Sequence, residues 1–264
     1  MDTQPKIAAD INDTIRTQLK RLEVEEQIII LYACESGSRA WGFPSPDSDY
    51  DVRFIYLRPL EWYLSIDSHR DTIDLPVNSL LDINGWDLRK ALKLFKGSNS
   101  VIYEWLQSPI IYQTNSAFNR ELLDLSNSYY DPRAGIYHYL NATTNCYKEY
   151  LQSDLVKLKK YFYALRPILA AKWIIQHQTF PPMVFTELLK LVEDRPHLIT
   201  AIDEMLDIKA TAAESKMIPV NLTINNFINT EIEKCGQAVK LIPRNNIDSS
   251  ILDKLFRKYA LSSS

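Results

Sequence analysis

Apolar residues recur every three or four positions at Ile7, Ile11, Ile15, Leu19 and Leu22, which predicts an amphipathic helix over residues 7–24. The period then shortens. Residues 27–34 form a β-rich apolar run and predict a buried strand. Ser36-Gly37-Ser38 interrupts it, Arg39-Ala40-Trp41 leaves room for one helical turn, and Pro44-Ser45-Pro46-Asp47-Ser48 is a loop by composition. Polar and apolar positions alternate over 49–57, which predicts a second strand. Runs at 72–75 and 80–84 predict a third and a fourth. Residues 87–95 then read as a helix stopped by Lys96-Gly97-Ser98-Asn99, and 101–107 as a short helix ending before Pro109.

Asn, Ser, Asp and Pro accumulate over 114–132, where a domain junction is expected. Beyond it the periodicity is helical, over 134–153, 154–177, 183–193, 198–212, 217–239 and 247–260. Pro167 should kink the second of these or mark a boundary. The expected fold is α+β: a small mixed-sheet domain over 1–115, then an all-helical domain over 130–264. No internal repeat or low-complexity segment interrupts this layout.

Composition narrows the picture. A 264-residue chain that is 46 % hydrophobic can bury a sizeable core, and a net charge of −3 excludes nucleic-acid binding by global charge, leaving only a local basic patch. Cys34, Cys146 and Cys235 fit neither a zinc spacing nor a disulfide framework, so a reducing cytoplasm is the simplest setting. No apolar leader follows Met1, and the run 28–33 is far too short to cross a bilayer. His69, His138, His177 and His197 make no metal spacing, and Cys34, closing a buried strand, reads as core.

The chemistry concentrates in residues 34–56. On a strand, Asp49 and Asp51 project from one face. Two converging carboxylates repel unless a cation lies between them, and Mg²⁺ (or Mn²⁺) suits two carboxylates plus substrate phosphates. Arg53 shares that face and suits either holding a triphosphate or bracing a carboxylate. Gly37 and Ser38, where a strand turns sharply into a helical turn, aim backbone N–H groups outward as a phosphate cradle. Either half alone has a bland reading: an Asp-x-Asp is usually a solvated face and a Gly-Ser usually a turn. Their order along the chain is much more restrictive, and is what transfer of a nucleoside monophosphate from a nucleoside triphosphate (NTP) requires. Trp41 suits packing under the loop or stacking on a base, with packing favoured.

Gly-Ser-Arg-Ala-Trp-Gly-Phe followed by Ser-Asp-Tyr-Asp-Val-Arg-Phe-Ile-Tyr resembles the signature of the nucleotidyltransferase superfamily that contains DNA polymerase beta. More narrowly it is similar to a bacterial family of predicted nucleotidyltransferases described as RNA-repair-pathway or RNA-ligase-associated. The similarity continues in the stretches 85–92, 103–109 and 159–167. The resemblance implies a third carboxylate on a neighbouring strand that helps activate the attacking hydroxyl. Asp82 is the first candidate, Asp74 the second; Asp87 reads better as an early-turn helix residue. The implied site is then Asp49, Asp51 and Asp82 for metal and catalysis, with Gly37, Ser38, Arg39 and Arg53 on phosphate. Lys160, Tyr163 and Arg166 share about a third of a helix circumference. The resemblance raises them from a charged face to a nucleotide-binding set, with Lys160 and Arg166 screening the leaving pyrophosphate. The expected partners are an NTP and an RNA acceptor, for which Lys157-Leu158-Lys159-Lys160 is one landing site, and no membrane. Transfer to a protein hydroxyl or small molecule, and a non-catalytic nucleotide sensor, stay open as alternatives.

Overall fold

The computed structural model describes residue 7 and residues 9–75, 80–245 and 248–262. The readings of residues 1–6 and 8, and of a helix start at 247, lie outside the described residues. The first half comprises α1 (Ala9–Glu25), β1 (Ile29–Glu35), α2 (Gly37–Trp41), β2 (Tyr50–Leu57), α3 (Leu60–Tyr63), β3 (Thr72–Asp74), β4 (Leu81–Asp87), α4 (Leu88–Lys96), α5 (Ser100–Trp105) and β5 (Ile111–Thr114). Five strands form a sheet of order β3-β4-β2-β1-β5. β2 and β4 run parallel and the other pairs antiparallel, so the sheet is mixed.

Strand alternation divides the sheet into two unlike faces. Val52, Phe54 and Tyr56 join Ile30, Ala33, Ile83 and Tyr112 beneath Ile15, Leu19 and Leu22 of α1. Ile55 and Leu57 point the other way, into a larger core shared with the helices. Gly85 faces Phe54 across the β2–β4 register. A Cβ on Gly85 would lie 2.2 Å from the Phe54 ring, so only a bare backbone admits that ring.

The second half is α6 (Ser116–Tyr129), α7 (Pro132–Tyr150), β6 (Leu155–Lys157), α8 (Leu158–His177), α9 (Phe185–Leu189), α10 (Pro196–Thr211), β7 (Met217–Pro219), α11 (Leu222–Ala238) and α12 (Ser250–Ser262), with two short 3₁₀ turns at Lys190–Val192 and Val239–Leu241. Side-chain caps start several of these helices: Asp87 receives the Arg89 N–H, Asn115 those of Ala117 and Phe118, Asp131 that of Arg133, and Asn221 that of Ile224.

The fold is α+β, as the pattern predicts. Three local expectations need correction. Residues 114–132, expected as a junction, contain the end of β5 and all of α6, whose Phe118, Leu122, Ser126 and Tyr129 are buried at helical spacing. The helices expected to begin at 154 and 217 begin later, because β6 and β7 pair antiparallel there, with Val156 and Ile218 turned into the core. Pro167 neither ends nor bounds its helix; α8 runs on through it. One apolar cluster runs from Leu31 to Ala260, joining the sheet's inner face to the helical half. Among the described residues no helix is long and apolar enough to cross a membrane.

Candidate active site

On the inner face of β2, Asp51 and Arg53 precede Ile55 and Leu57, and the parallel register sets Asp51 beside Asp82 of β4. Arg53 ties the two acids together. Its Nη2 donates to Asp51 Oδ1 at 2.8 Å and Asp82 Oδ2 at 2.7 Å, and its Nη1 donates to the Asp82 carbonyl at 2.8 Å. Of the two roles open to Arg53, the geometry gives the brace. Its Nη1 and Nη2 donate to carboxylates and backbone carbonyls, which is the brace rather than a free phosphate holder.

Gly37 closes over the same carboxylate. Its φ is +59°, a left-handed conformation that favours glycine. A Cβ there would stand 2.0 Å from Asp51 Oδ2, so no side chain fits between turn and acid. The Ser36 N–H donates to the Asp51 carbonyl at 2.8 Å. The Asp51 N–H donates to Glu35 Oε1 at 3.0 Å, and Glu35 Oε2 accepts from the Tyr112 hydroxyl at 2.5 Å. Glu35 is fully buried at the end of β1. Its carboxylate replaces the backbone acceptor that the ladder loses where the chain turns into Gly37.

This packing raises both acids. Burial pushes Asp51 up to about 6; the Asp49, Asp82 and Glu214 charges add to the rise and Arg53 opposes it. Burial likewise lifts Glu35 to about 7, against the hydrogen bonds from Tyr112 and the Asp51 N–H. A site where several negative charges crowd a desolvated carboxylate has the electrostatics of a cation site.

The 39–49 loop is fastened from both halves. Arg39 donates through Nε to the Asp49 carbonyl at 3.1 Å and through Nη2 to the Ser48 carbonyl, and its guanidinium lies 3.8 Å over the Tyr50 ring. Arg39 thus shapes the approach to Asp49 rather than standing free for phosphate. Ser38 is buried, and its hydroxyl donates to Ser48 Oγ at 3.3 Å, so its backbone N–H rather than its side chain is left for phosphate. Ser48 in turn donates to Glu214 Oε1 at 2.8 Å, and Lys159 donates to Glu214 Oε2 at 2.9 Å. The Glu214 N–H donates to Asp47, and buried Lys209 donates to Ser45 Oγ at 2.8 Å. The helical half therefore grips the loop that delivers Asp49.

The expected ligand set of Asp49, Asp51 and Asp82 is corrected in number. Among the described residues no three carboxylate, His or Cys side chains gather closely enough to hold a metal ion. The reason is Arg53, which occupies the space between Asp51 and Asp82. Asp49, just ahead of β2, and Asp51 remain a two-carboxylate set whose charges couple, and two carboxylates with phosphate oxygens and water suit Mg²⁺. Asp74 is exposed on edge strand β3 and bonded to Arg70 and Asn84. Asp87 is a buried helix cap that accepts from the Arg89 N–H and the Tyr63 hydroxyl.

On α8, Lys160 and Tyr163 border a cavity of about 400 Å³ next to Trp41. Tyr163 is pushed up to about 12 by burial and by the Glu214, Asp51 and Asp49 charges, which puts it within electrostatic reach of the acids. Arg166 lines the same cavity, but its donors are engaged. Its side chain is 3 % exposed, its Nη1 donates to Glu104 Oε1 at 2.9 Å, and its Nε and Nη2 donate to the Met183 carbonyl. A guanidinium so held cannot screen a leaving pyrophosphate without breaking a buried pair. That role is corrected to a structural one beneath Trp41, whose ring it covers at 4.5 Å.

The sequence reading passed over Glu35, Glu104, Lys209 and Glu214. Glu35 had a local cue, an acidic residue closing an apolar strand right before the turn. The other three act on partners 35 or more residues away, and no spacing rule reaches that far.

This chain belongs to the RNA repair pathway DNA polymerase beta family, RlaP, whose match spans residues 11–258. By family it is a polymerase-beta-like nucleotidyltransferase. The uncharacterized protein YcgL of Bacillus subtilis (strain 168) is 48 % identical over 223 residues, covering 84 % of this chain and 86 % of that protein. Among solved structures, a nucleotidyltransferase-like protein from Exiguobacterium sibiricum 255-15 is similar at a TM-score of 0.30 and 11 % identity, covering 87 % of this chain and 74 % of the other. A likeness that slight carries no conclusion about function.

Proposed function

We propose that this chain is a metal-dependent nucleotidyltransferase that moves a nucleoside monophosphate from an NTP to an acceptor hydroxyl, an RNA end being the acceptor that the family description favours. The observation that carries the reading is the packing of the Asp51 carboxylate onto the Gly37 turn, which puts a cation-seeking acid against a phosphate-receiving bend. Residues 1–115 supply the chemistry and 130–264 close over the nucleotide. Asp49 and Asp51 hold a divalent ion, Mg²⁺ or Mn²⁺, which when bound neutralises charge on the transferring phosphoryl group. The N–H groups of Ser38 and Arg39, in the open first turn of α2, receive phosphate oxygens.

Arg53 holds Asp51 and Asp82 in alignment. Asp82 Oδ1, which accepts no hydrogen bond among the described residues, orients the acceptor hydroxyl and takes its proton. Lys160 faces the triphosphate from α8, and Lys157 is the exposed member of the basic run that an RNA would meet. Three unpaired cysteines fit a cytoplasmic setting.

One observation favours a second reading, a non-catalytic nucleotide sensor: Arg53 already bridges two of the acids, so the site is partly neutralised without an ion. Incubation of the protein with each labelled NTP, Mg²⁺ and mixed RNA or protein acceptors separates the two. Labelled acceptor that vanishes in Asp49→Ala and Asp51→Ala supports the enzyme. Tight NTP binding with no transfer to any acceptor supports the sensor.

A further inference from the structure

The cavity beside Tyr163 has a construction of its own. One wall is α7, where His138, Ala142, Asn145 and Glu149 line it at helical spacing. The other is α8, with Lys160 and Tyr163. Trp41 of α2 closes one end, its ring edge-on to Tyr163 at 6.1 Å. Tyr150 stands at the other end, with Lys160 Nζ 3.5 Å over its ring. The lining therefore combines aromatic rings with the polar side chains of α7, Lys160 of α8, and the Glu104–Arg166 pair. At about 400 Å³ it is in the range of small-molecule sites.

The polar edge is only partly spent. The Asn145 amide makes no hydrogen bond among the described residues, and it offers an acceptor and a donor side by side. Glu149, one turn further on, is exposed and already engages the Tyr150 hydroxyl, leaving its second carboxylate oxygen as an acceptor. Glu104 at the cavity floor is by contrast saturated by Arg166, Tyr139 and Trp41. The slot reaches α2 at Trp41, and the first residue of α2, Gly37, packs on Asp51.

We infer that this slot takes the nucleobase of the NTP and selects a base with an exocyclic amino group beside a ring acceptor, adenine foremost, through Asn145 and Glu149. An amide pairs in two places with the amino group and ring nitrogen of adenine. A carboxylate accepts from an amino group and repels the carbonyl oxygens of uracil. A flat base stacked on the Tyr163 ring meets Trp41 edge-on, since the two rings stand at 90°, and such stacking is worth about 1–3 kcal/mol per base. The identity of the ligand rests on the nucleotidyltransferase reading above, but the slot is testable without it.

The test uses free nucleosides, which lack phosphate and need no metal, titrated into the full chain by ligand-observed NMR. Adenosine should bind at least tenfold more tightly than uridine, and Asn145→Ala should shrink that gap to about threefold. Ala142→Trp, an exposed helix position that fills the slot, should weaken adenosine and ATP binding at least tenfold. Equal binding of uridine, tighter binding of guanosine, or an Ala142→Trp protein that still binds adenosine normally overturns the assignment. Should Ala142→Trp fail to fold, Asn145→Ala and Glu149→Gln at the rim decide the matter by base preference alone. Adenosine binding in a protein that transfers no nucleotide leaves the slot standing and removes only the catalytic reading. Transfer indifferent to the base does the reverse.

Discussion

On one face of β2, Val52, Phe54 and Tyr56 lie fully buried beneath α1, in a core made of apolar and tyrosine side chains. On the other, the same strand begins with Asp51 and Arg53 and only then turns apolar at Ile55 and Leu57. The outer face is closed to water, and the inner face leaves only a quarter of the Asp51 side chain exposed. The outer face spends its burial on cohesion. The inner face sinks an acid deep enough to lift it to about 6, a state that opposes folding at neutral pH. A strand that keeps such a residue where a leucine would stabilise is organised around something other than stability.

Exchanging the roles of the two faces gives the sharpest tests. Asp51→Ala should lower nucleotide transfer about 10³-fold or more, roughly 4 kcal/mol at the transition state, while the circular dichroism spectrum stays native; transfer that survives would dissolve the contrast. Phe54→Ala should do the opposite. Loss of a fully buried ring costs about 3–5 kcal/mol of stability by denaturant titration, with transfer per folded molecule unchanged at low temperature. Gly37→Ala touches the junction of the two. A left-handed alanine costs about 1–2 kcal/mol and its methyl collides with the Asp51 carboxylate, so transfer should fall about 30-fold, measured at saturating acceptor.

The smallest effect is the most diagnostic. Asp51 titrates near 6 in the folded chain and near 4 in the unfolded one, so the native state holds a proton that the unfolded state has already lost. Its contribution favours folding below about pH 4 and is lost as pH rises toward about 6. Asp51→Asn removes that loss. Without divalent metal, the mutant's stability advantage over wild type should grow from near zero at pH 4 to about 1–2 kcal/mol by pH 7, read from paired melts. Metal affinity should rise over the same interval, because binding displaces the proton. A gap independent of pH would mean that Asp51 is not a buried acid.

The legible parts of the sequence were those whose cause is local. Strand alternation gave β2 and its two faces, and a paired acid two residues apart announced itself. The α6 stripe of Phe118, Leu122, Ser126 and Tyr129 was also present, but the Asn and Ser residues around it read as a junction. β6 and β7 were absorbed into helices because each is three residues long and gains its hydrogen bonds from a partner about 60 residues away. The site follows the same division. The approach of Gly37 to Asp51, and of Asp51 to Asp82, fits the order of the motif. The occupation of Arg53, Arg39 and Arg166 was not legible, since a cation's availability depends on which acid or carbonyl the fold brings to it. Glu104 and Arg166, 62 residues apart, meet only because α5 and α8 flank one core.

The helix that closes the described chain returns to the sheet half. Phe256 of α12 meets the Tyr63 ring edge-on at 5.0 Å and lies under the Arg89 guanidinium, on the outer side of α4. A transplanted catalytic half would therefore carry a raw apolar flank into water, and a ribosome must make about 160 further residues after α4 before that flank is covered. Completion of the sheet half is thus a late event in synthesis, since a helix far down the chain supplies its last cover.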